Sequence, residues 1–198
     1  MTARLGDRVR RQAVLLRLPP RVALFYFRAR RVAAERGDEW SQTSATFPRP
    51  LAHLLRLARG RRRVAEIGTG TAWTTAALAL ADPRRTVVSY DPIVRPERDW
   101  YLDLAGAAAR KRVELVVAPG EDGPGPGGAG SFDFVFVDGS HERERTKATF
   151  EAWRGAVAPG GVIAFHDWEN PVYPGVTEAI RELRLDGEIL DDVFVWHA

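Results

Sequence analysis

Side chains able to do chemistry stand at the ends of two apolar runs. FDFVFV (132–137) closes on Asp138, with His141 three residues on in DGSH, and VIAF (162–165) closes on His166 and Asp167. Apolar runs bounded by turns read as strands covered on both faces, and in parallel α/β sheets ligands bind beyond the carboxyl ends of the strands. Two neighbouring strands would therefore deliver Asp138, His141, His166 and Asp167 to one rim. Carboxylates brought together repel unless one is protonated or a cation lies between them. A hard divalent ion such as Mg²⁺ is the natural occupant, since it prefers oxygen ligands and keeps several waters. His141, with an ordinary pKa of about 6.5, is suited to remove a proton near neutral pH. Strand alternation turns His166 away from Asp167, toward a structural or supporting role. The structural alternative is that Asp138 orients loop backbone and His141 caps the next helix.

The second chemical stretch is RVAEIGTGTAWTT (63–75), a short strand running into a glycine turn and a helix. Gly68 and Gly70 let the backbone approach a ligand, the helix start offers free N–H groups, and Thr69 and Thr74 complete the turn as candidate contacts. A dinucleotide fingerprint would need glycine or alanine at 73, where this chain has Trp73. Glu66, beside the turn, would repel a pyrophosphate and attract a cation. S-adenosylmethionine, with its ammonium and sulfonium, meets that requirement. Thr86 to Tyr90 forms the next strand and ends on Asp91, placed to accept hydrogen bonds from adenosine ribose hydroxyls, with Pro92 and Ile93 as candidate adenine wall.

E-x-G-x-G with an acid ending the next strand resembles the cofactor signature of class I S-adenosylmethionine-dependent methyltransferases. TAWTT resembles the T-G-Y-S-T of their small-molecule O-methyltransferase branches. DGSH, then a helix, PGG (159–161) and His166-Asp167 resemble methyltransferase family 24, which includes macrocin-type sugar O-methyltransferases. The resemblance covers about residues 60 to 170. It implies a Rossmann-like α/β fold: a seven-strand, mostly parallel sheet with an antiparallel last strand and helices on both faces. It implies adenine contacts from the turn at Gly120 and Glu121, metal binding by Asp138 and Asp167, and His141 as general base. Relatives place a further acidic or amide ligand directly after the fifth-strand aspartate. This chain has Trp168 there, so Glu169 becomes the candidate third ligand, with Asn170 beside it.

The remaining elements follow from periodicity and breakers. Leu51 to Ala58, Ala76 to Ala81, Arg95 to Arg110 and Tyr173 to Leu183 read as helices, Val113 to Val117 as a strand, and Gly187 to Leu190 with Val193 to Trp196 as a closing hairpin. DGPGPGGAGS (122–131) cannot hold regular structure. A helix from about Arg21 is expected to pack Leu24, Phe25, Phe27 and Val32 inward. Trp40 to Ser44 are candidates for a lid over the cofactor. Residues 1–59 thus read as a basic helical extension with lid, and 60–198 as the methyltransferase domain.

At 198 residues and 45% hydrophobic content the chain can bury one sizeable core. Having no cysteine, it has no disulfide, thiol nucleophile or thiolate metal site. Residues 1–63 hold 16 arginines against 4 acids, a net +12, while the rest is −9. Such an arm suits docking on its own acidic body, nucleic acid or anionic lipid. The longest apolar run near the start, Val22 to Phe27, is far below the roughly 18 residues needed to span a bilayer, and a cytoplasmic location is expected. The leading expectation is methyl transfer to a hydroxyl of a small molecule of sugar or natural-product type. A nucleic-acid methyltransferase is disfavoured, with neither a D/N-P-P-Y/F motif nor a cysteine. A non-catalytic module making peripheral membrane contact through the N-terminal helices is the third reading, and a homodimer stays open.

Overall fold

The computed structural model describes residues 17–198. The arginine-rich stretch before Arg17, and the reading that it docks on the acidic body, lie outside the described residues. Seven strands form one sheet in the order β3-β2-β1-β4-β5-β7-β6: β1 Arg63–Ile67, β2 Thr86–Tyr90, β3 Val113–Val116, β4 Phe132–Val137, β5 Val157–Phe165, β6 Gly187–Leu190 and β7 Val193–His197. Parallel pairing links β3 through β5, and only β7 runs against its neighbours. This is the expected sheet. The order reverses at β1, so the crevice at the carboxyl ends of β1 and β4 is the ligand position of such folds.

Period-two alternation sorts the strand side chains into two cores. Val64, Val87, Phe134, Phe136, Val162 and Ala164 face one cluster, covered by α1 (Pro20–Arg36), α3 (Pro48–Leu57), α4 (Trp73–Ala81) and α5 (Glu97–Ala105). Ala65, Ile67, Val88, Val135, Ile163 and Phe165 face the other, covered by α7 (Arg143–Trp153) and α8 (Pro174–Glu182). Buried on both sides, β1 and β4 need apolar residues at nearly every position.

Trp73 explains why glycine is dispensable at the third fingerprint position. The turn reaches α4 through Ala72, held in the left-handed region at φ 67°. The indole is buried between Tyr26 of α1 and Tyr101 of α5, at ring separations of 5.3 and 5.1 Å, both edge-on. It ties the N-terminal helix to the sheet layer.

Three expectations are corrected. α1 buries Val22, Phe25, Tyr26, Ala29 and Ala33, whereas Leu24 and Phe27 point outward. The small residues at 29 and 33 let the helix approach α4 closely, and that contact sets its rotation. The helix expected over Arg95 to Arg110 is two helices, α5 and α6 (Ala107–Arg110), split at Gly106 with φ 86°. The third is His166: β5 ends at Phe165 and Asp167 takes φ 62°, so alternation stops and both side chains turn to one cluster.

Burial of Trp73 between two aromatic rings predicts a stability loss of about 3–5 kcal/mol for Trp73→Ala, from lost burial and the cavity left behind. Urea unfolding checks it; a loss below about 1 kcal/mol would show that α1 is not anchored there.

Candidate active site

Beyond the ends of β1, β2 and β4 lies a cleft of about 670 Å³, lined from one end by Gly68, Thr69, Gly70, Asp91, Ile93 and Glu121 and at the other by Asp138, His141, His166 and Asp167. That volume is in the usual range for small-ligand sites. The glycine turn is fixed by backbone contact. Gly68 has φ 101°, and a Cβ there would lie 2.1 Å from the carbonyl oxygen of Asp138. Only glycine fits between the two strand ends. Helix α2 (Glu39–Ser44), capped by Asp38, lies over this turn: the Ser41 hydroxyl donates to Thr71 Oγ1 at 2.8 Å, and Trp40 borders Gly70. The expected lid stretch thus sits on the turn.

Asp91 also holds the turn. Its Oδ2 accepts from the Gly70 N–H at 2.9 Å and its Oδ1 from the Ile93 N–H at 2.8 Å. The buried Arg98 guanidinium pairs with it at 2.8 Å and donates to the carbonyl of Gly70. Pro92 and Ile93 line the cleft, Ile93 with its apolar side chain open to it. Across the cleft Gly120 and Glu121 form its wall, and Glu121 pairs with Arg145. Thr74 lines the cleft and donates to Thr46 Oγ1 at 2.9 Å, which in turn reaches Asp138 Oδ2 at 3.3 Å.

Two expected site residues are not brought to the cleft. Glu66 is buried beneath the turn, its Oε2 accepting from the hydroxyls of Thr75 and Ser89. Burial, opposed by those hydrogen bonds, pushes its pKa up to about 8, so it is neutral at pH 7 and supplies no charge to a ligand. Its alternation along β1 puts it under α4, away from the crevice. Glu169 turns outward to Arg181 at 3.0 Å, with φ 55°. The neighbour that joins the cluster is Asn170, whose amide donates to Asp167 Oδ1 at 2.6 Å.

The remaining cluster is compact. His141 Nε2 stands 2.8 Å from Asp167 and 3.8 Å from Asp138, and His166 Nδ1 stands 3.2 Å from each carboxylate. Burial raises the cost of the charged carboxylates, but His166 and His141 outweigh it, holding Asp138 down to about 2 and Asp167 well below the usual range. Conversely, burial disfavours the imidazoliums while the two carboxylates raise His141 to about 9 and His166 to about 11. The His141 ring lies flat against Tyr173, 4.0 Å between centroids at 17°. At 2.8 Å from Asp167, Nε2 of His141 makes an ion-pair contact with no aligned hydrogen bond among the described residues. An oxygen from each of Asp138 and Asp167 and a nitrogen of His141 lie within 4.8 Å of one another, so the donor set fits a divalent cation.

Sequence reasoning overlooked Arg98, Tyr173 and Thr46. None sits in a motif or shares an element with the residue it supports, so only the packing reveals them.

Sheet order, glycine turn and strand-end carboxylates are together those of a class I S-adenosylmethionine-dependent methyltransferase. A family model described as a methyltransferase domain, family 24, matches residues 65–168, just over half of the chain, and the chain belongs to that family. Among solved structures it is similar to cofactor-bound Rv0187 from MTB, with 26% identity, 83% of this chain and 86% of that chain covered, and a TM-score of 0.63. It is also similar to the O-methyltransferase TomG of Streptomyces achromogenes, involved in tomaymycin synthesis and solved with SAM (23% identity, 84% and 76% covered, TM-score 0.54). A third is the methyltransferase MycE of the mycinamycin pathway, in complex with Mg and SAH (18% identity, TM-score 0.54), where 76% of this chain matches 48% of that one. The likenesses to TomG and MycE are likenesses of fold. No curated protein sequence matches the chain.

The state of Glu66 gives a signed pH prediction. Its folded pKa of about 8 lies above the ordinary 4.5. The native state therefore binds the extra proton between those values, so this group's stabilisation is full below about pH 4.5 and is lost as pH rises toward 8. Glu66→Gln should remove that loss, and its urea midpoint should gain on wild type between pH 5 and pH 8. An unchanged difference between the two proteins across that range would place a charged carboxylate in the core instead.

Proposed function

We propose that this methyltransferase moves a methyl group from S-adenosylmethionine to a hydroxyl of a small molecule of sugar or natural-product type, assisted by a divalent cation. The observation that carries the reading is the pair of strand-end carboxylates, Asp138 and Asp167, bracketing an imidazole at the far end of a cleft whose near end carries the glycine turn and Asp91. TomG, an O-methyltransferase solved with SAM, and MycE, solved with Mg and SAH, share the fold and support it.

In this reading the glycine turn, Thr69 and Thr74 border the methionine part of the ligand, Asp91 takes the ribose hydroxyls, and Pro92, Ile93, Gly120 and Glu121 enclose the adenine. Arg98 and the Gly70 N–H hold Asp91 in place. Helix α2 closes over the turn. S-adenosylmethionine supplies an electrophilic methyl carbon on a sulfonium. The acceptor oxygen attacks it in line, the carbon–sulfur bond breaks as the oxygen–carbon bond forms, and His141 takes the hydroxyl proton. Tyr173 keeps the imidazole plane fixed during that step. A divalent ion held by Asp138 and Asp167 would lower the pKa of the acceptor hydroxyl. Asn170 orients Asp167 from behind, and Glu169 has no part in the site.

The carboxylates also set the state of the base. Paired with both of them, His141 holds its proton up to about pH 9, and a proton acceptor must be neutral. Cation binding between Asp138 and Asp167 would relieve that hold, so the metal and the base are coupled.

Calorimetric titration of S-adenosylmethionine with and without Mg²⁺ is the first check. Binding near micromolar affinity, about −8 kcal/mol, is expected, and no binding would sink the reading. Binding of the cosubstrate with no turnover on any of a panel of hydroxylated sugars and polyketide-type phenols, with and without Mg²⁺, would remove the acceptor class alone. On an acceptor so found, His141→Ala should cut kcat by at least roughly 100-fold, the ordinary weight of a general base, while S-adenosylmethionine affinity holds. An unchanged kcat would remove His141 from the base role.

A further inference from the structure

α1 carries a second apolar stripe that the fold does not use. Its inward face is complete with Val22, Phe25, Tyr26, Ala29 and Ala33, yet Leu24 is 52% and Phe27 62% exposed. At 3.6 residues per turn Leu24, Phe27 and Arg31 share one outward stripe, with Arg21 and Arg28 along one flank and Arg30 along the other. All four arginines are exposed. Arg31 pairs with Glu35 at 2.7 Å and Arg30 lies beside Tyr26, both on the same helix. A solvent-facing stripe has no reason to hold phenylalanine and leucine inside a ring of guanidinium groups.

Charge decides among the partners such a face could take. A second copy of this chain would bring the same arginines against these, and residues 1–16 carry Arg4, Arg8, Arg10 and Arg11 against Asp7 alone, so they are cationic as well. Nucleic acid would meet the arginines and leave Leu24 and Phe27 unburied. An anionic bilayer interface satisfies both halves, with headgroup phosphates for the guanidinium groups and an adjoining apolar layer for the two side chains. We propose that the Leu24–Phe27 face of α1 docks on anionic phospholipid surfaces. The contact is peripheral, since no described helix is long and apolar enough to cross a membrane.

Co-sedimentation of the full chain with vesicles tests this without reference to methyl transfer. The chain should pellet with phosphatidylcholine vesicles containing about one third phosphatidylglycerol and not with phosphatidylcholine alone, and binding should weaken as salt rises. Leu24→Ser/Phe27→Ser should weaken it by roughly tenfold or more, with thermal midpoint and S-adenosylmethionine binding retained, and Arg21→Gln/Arg28→Gln should do the same. Four results would overturn the proposal. These are no pelleting with the anionic vesicles, and pelleting that survives the Leu24/Phe27 variant. The third is a wild-type dimer turned monomer by that variant, which assigns the face to a second copy. The last is duplex RNA binding lost in the arginine variant but kept in the Leu24/Phe27 variant, with no vesicle binding, which assigns it to nucleic acid.

Discussion

The active cleft depends on the contact between Gly68 and the carbonyl of Asp138, which leaves no room for a Cβ. β1 and β4 are adjacent and parallel, and the Asp138 N–H donates to the carbonyl of Ile67 at 2.8 Å. The turn after β1 and the loop after β4 are therefore a single packed unit. One turn borders the part of the cleft suited to a cosubstrate, and the other carries Asp138 and His141. Their separation is set by backbone geometry, the least deformable thing a protein has. Asp91, at the end of β2, joins the unit through its bond to the Gly70 N–H, so three consecutive strand ends are locked in register.

Electrostatics divides the crevice into two carboxylate environments. Asp91 is satisfied by Arg98 and two backbone N–H groups, a permanent arrangement that needs no ligand. Asp138 and Asp167 are compensated by two histidines, groups whose charge can be given up. An imidazolium can lose its proton when a cation takes over the compensation of the carboxylates, whereas the guanidinium of Arg98 cannot. The same donor set is proton-compensated here, and in the proposed reading it would hold a cation instead. Glu66 is the opposite case: a carboxyl kept neutral by burial, serving as a hydrogen-bond link among β1, β2 and α4.

The N-terminal helices complete the site from outside the sheet. α1 is fastened by the Tyr26–Trp73–Tyr101 stack, and Asp38, which caps α2, accepts from the Tyr101 hydroxyl at 2.6 Å. Helix α2 is thereby referenced to the same helix layer as the glycine turn. Edge-on aromatic contacts of this kind add about 0.5–1.5 kcal/mol each beyond burial, and they hold α1 against the body.

The amino-acid sequence by itself determined the strands and the carboxyl ends of β1, β2, β4 and β5, because apolar runs closed by glycine or acid have one economical reading: buried parallel strands with chemistry at the carboxyl edge. The start of β5 at Val157, five residues before the run at Val162, was not legible. The glycine turn, Asp91, Asp138 and Asp167 were legible on that ground, and the seven-strand sheet and the base role of His141 on the resemblance. Tertiary structure alone decided what depends on rotation about an element or on partners far along the chain. The phase of α1 follows from close packing at Ala29 and Ala33, which periodicity over Leu24, Phe25 and Phe27 cannot resolve. His166 joins the cluster because Asp167 leaves the strand conformation, and Glu66 leaves the ligand's reach because its neighbours Thr75 and Ser89 bury it. Arg98, Thr46 and Tyr173 serve residues 7, 92 and 32 positions away, and such distances close only when the chain is folded.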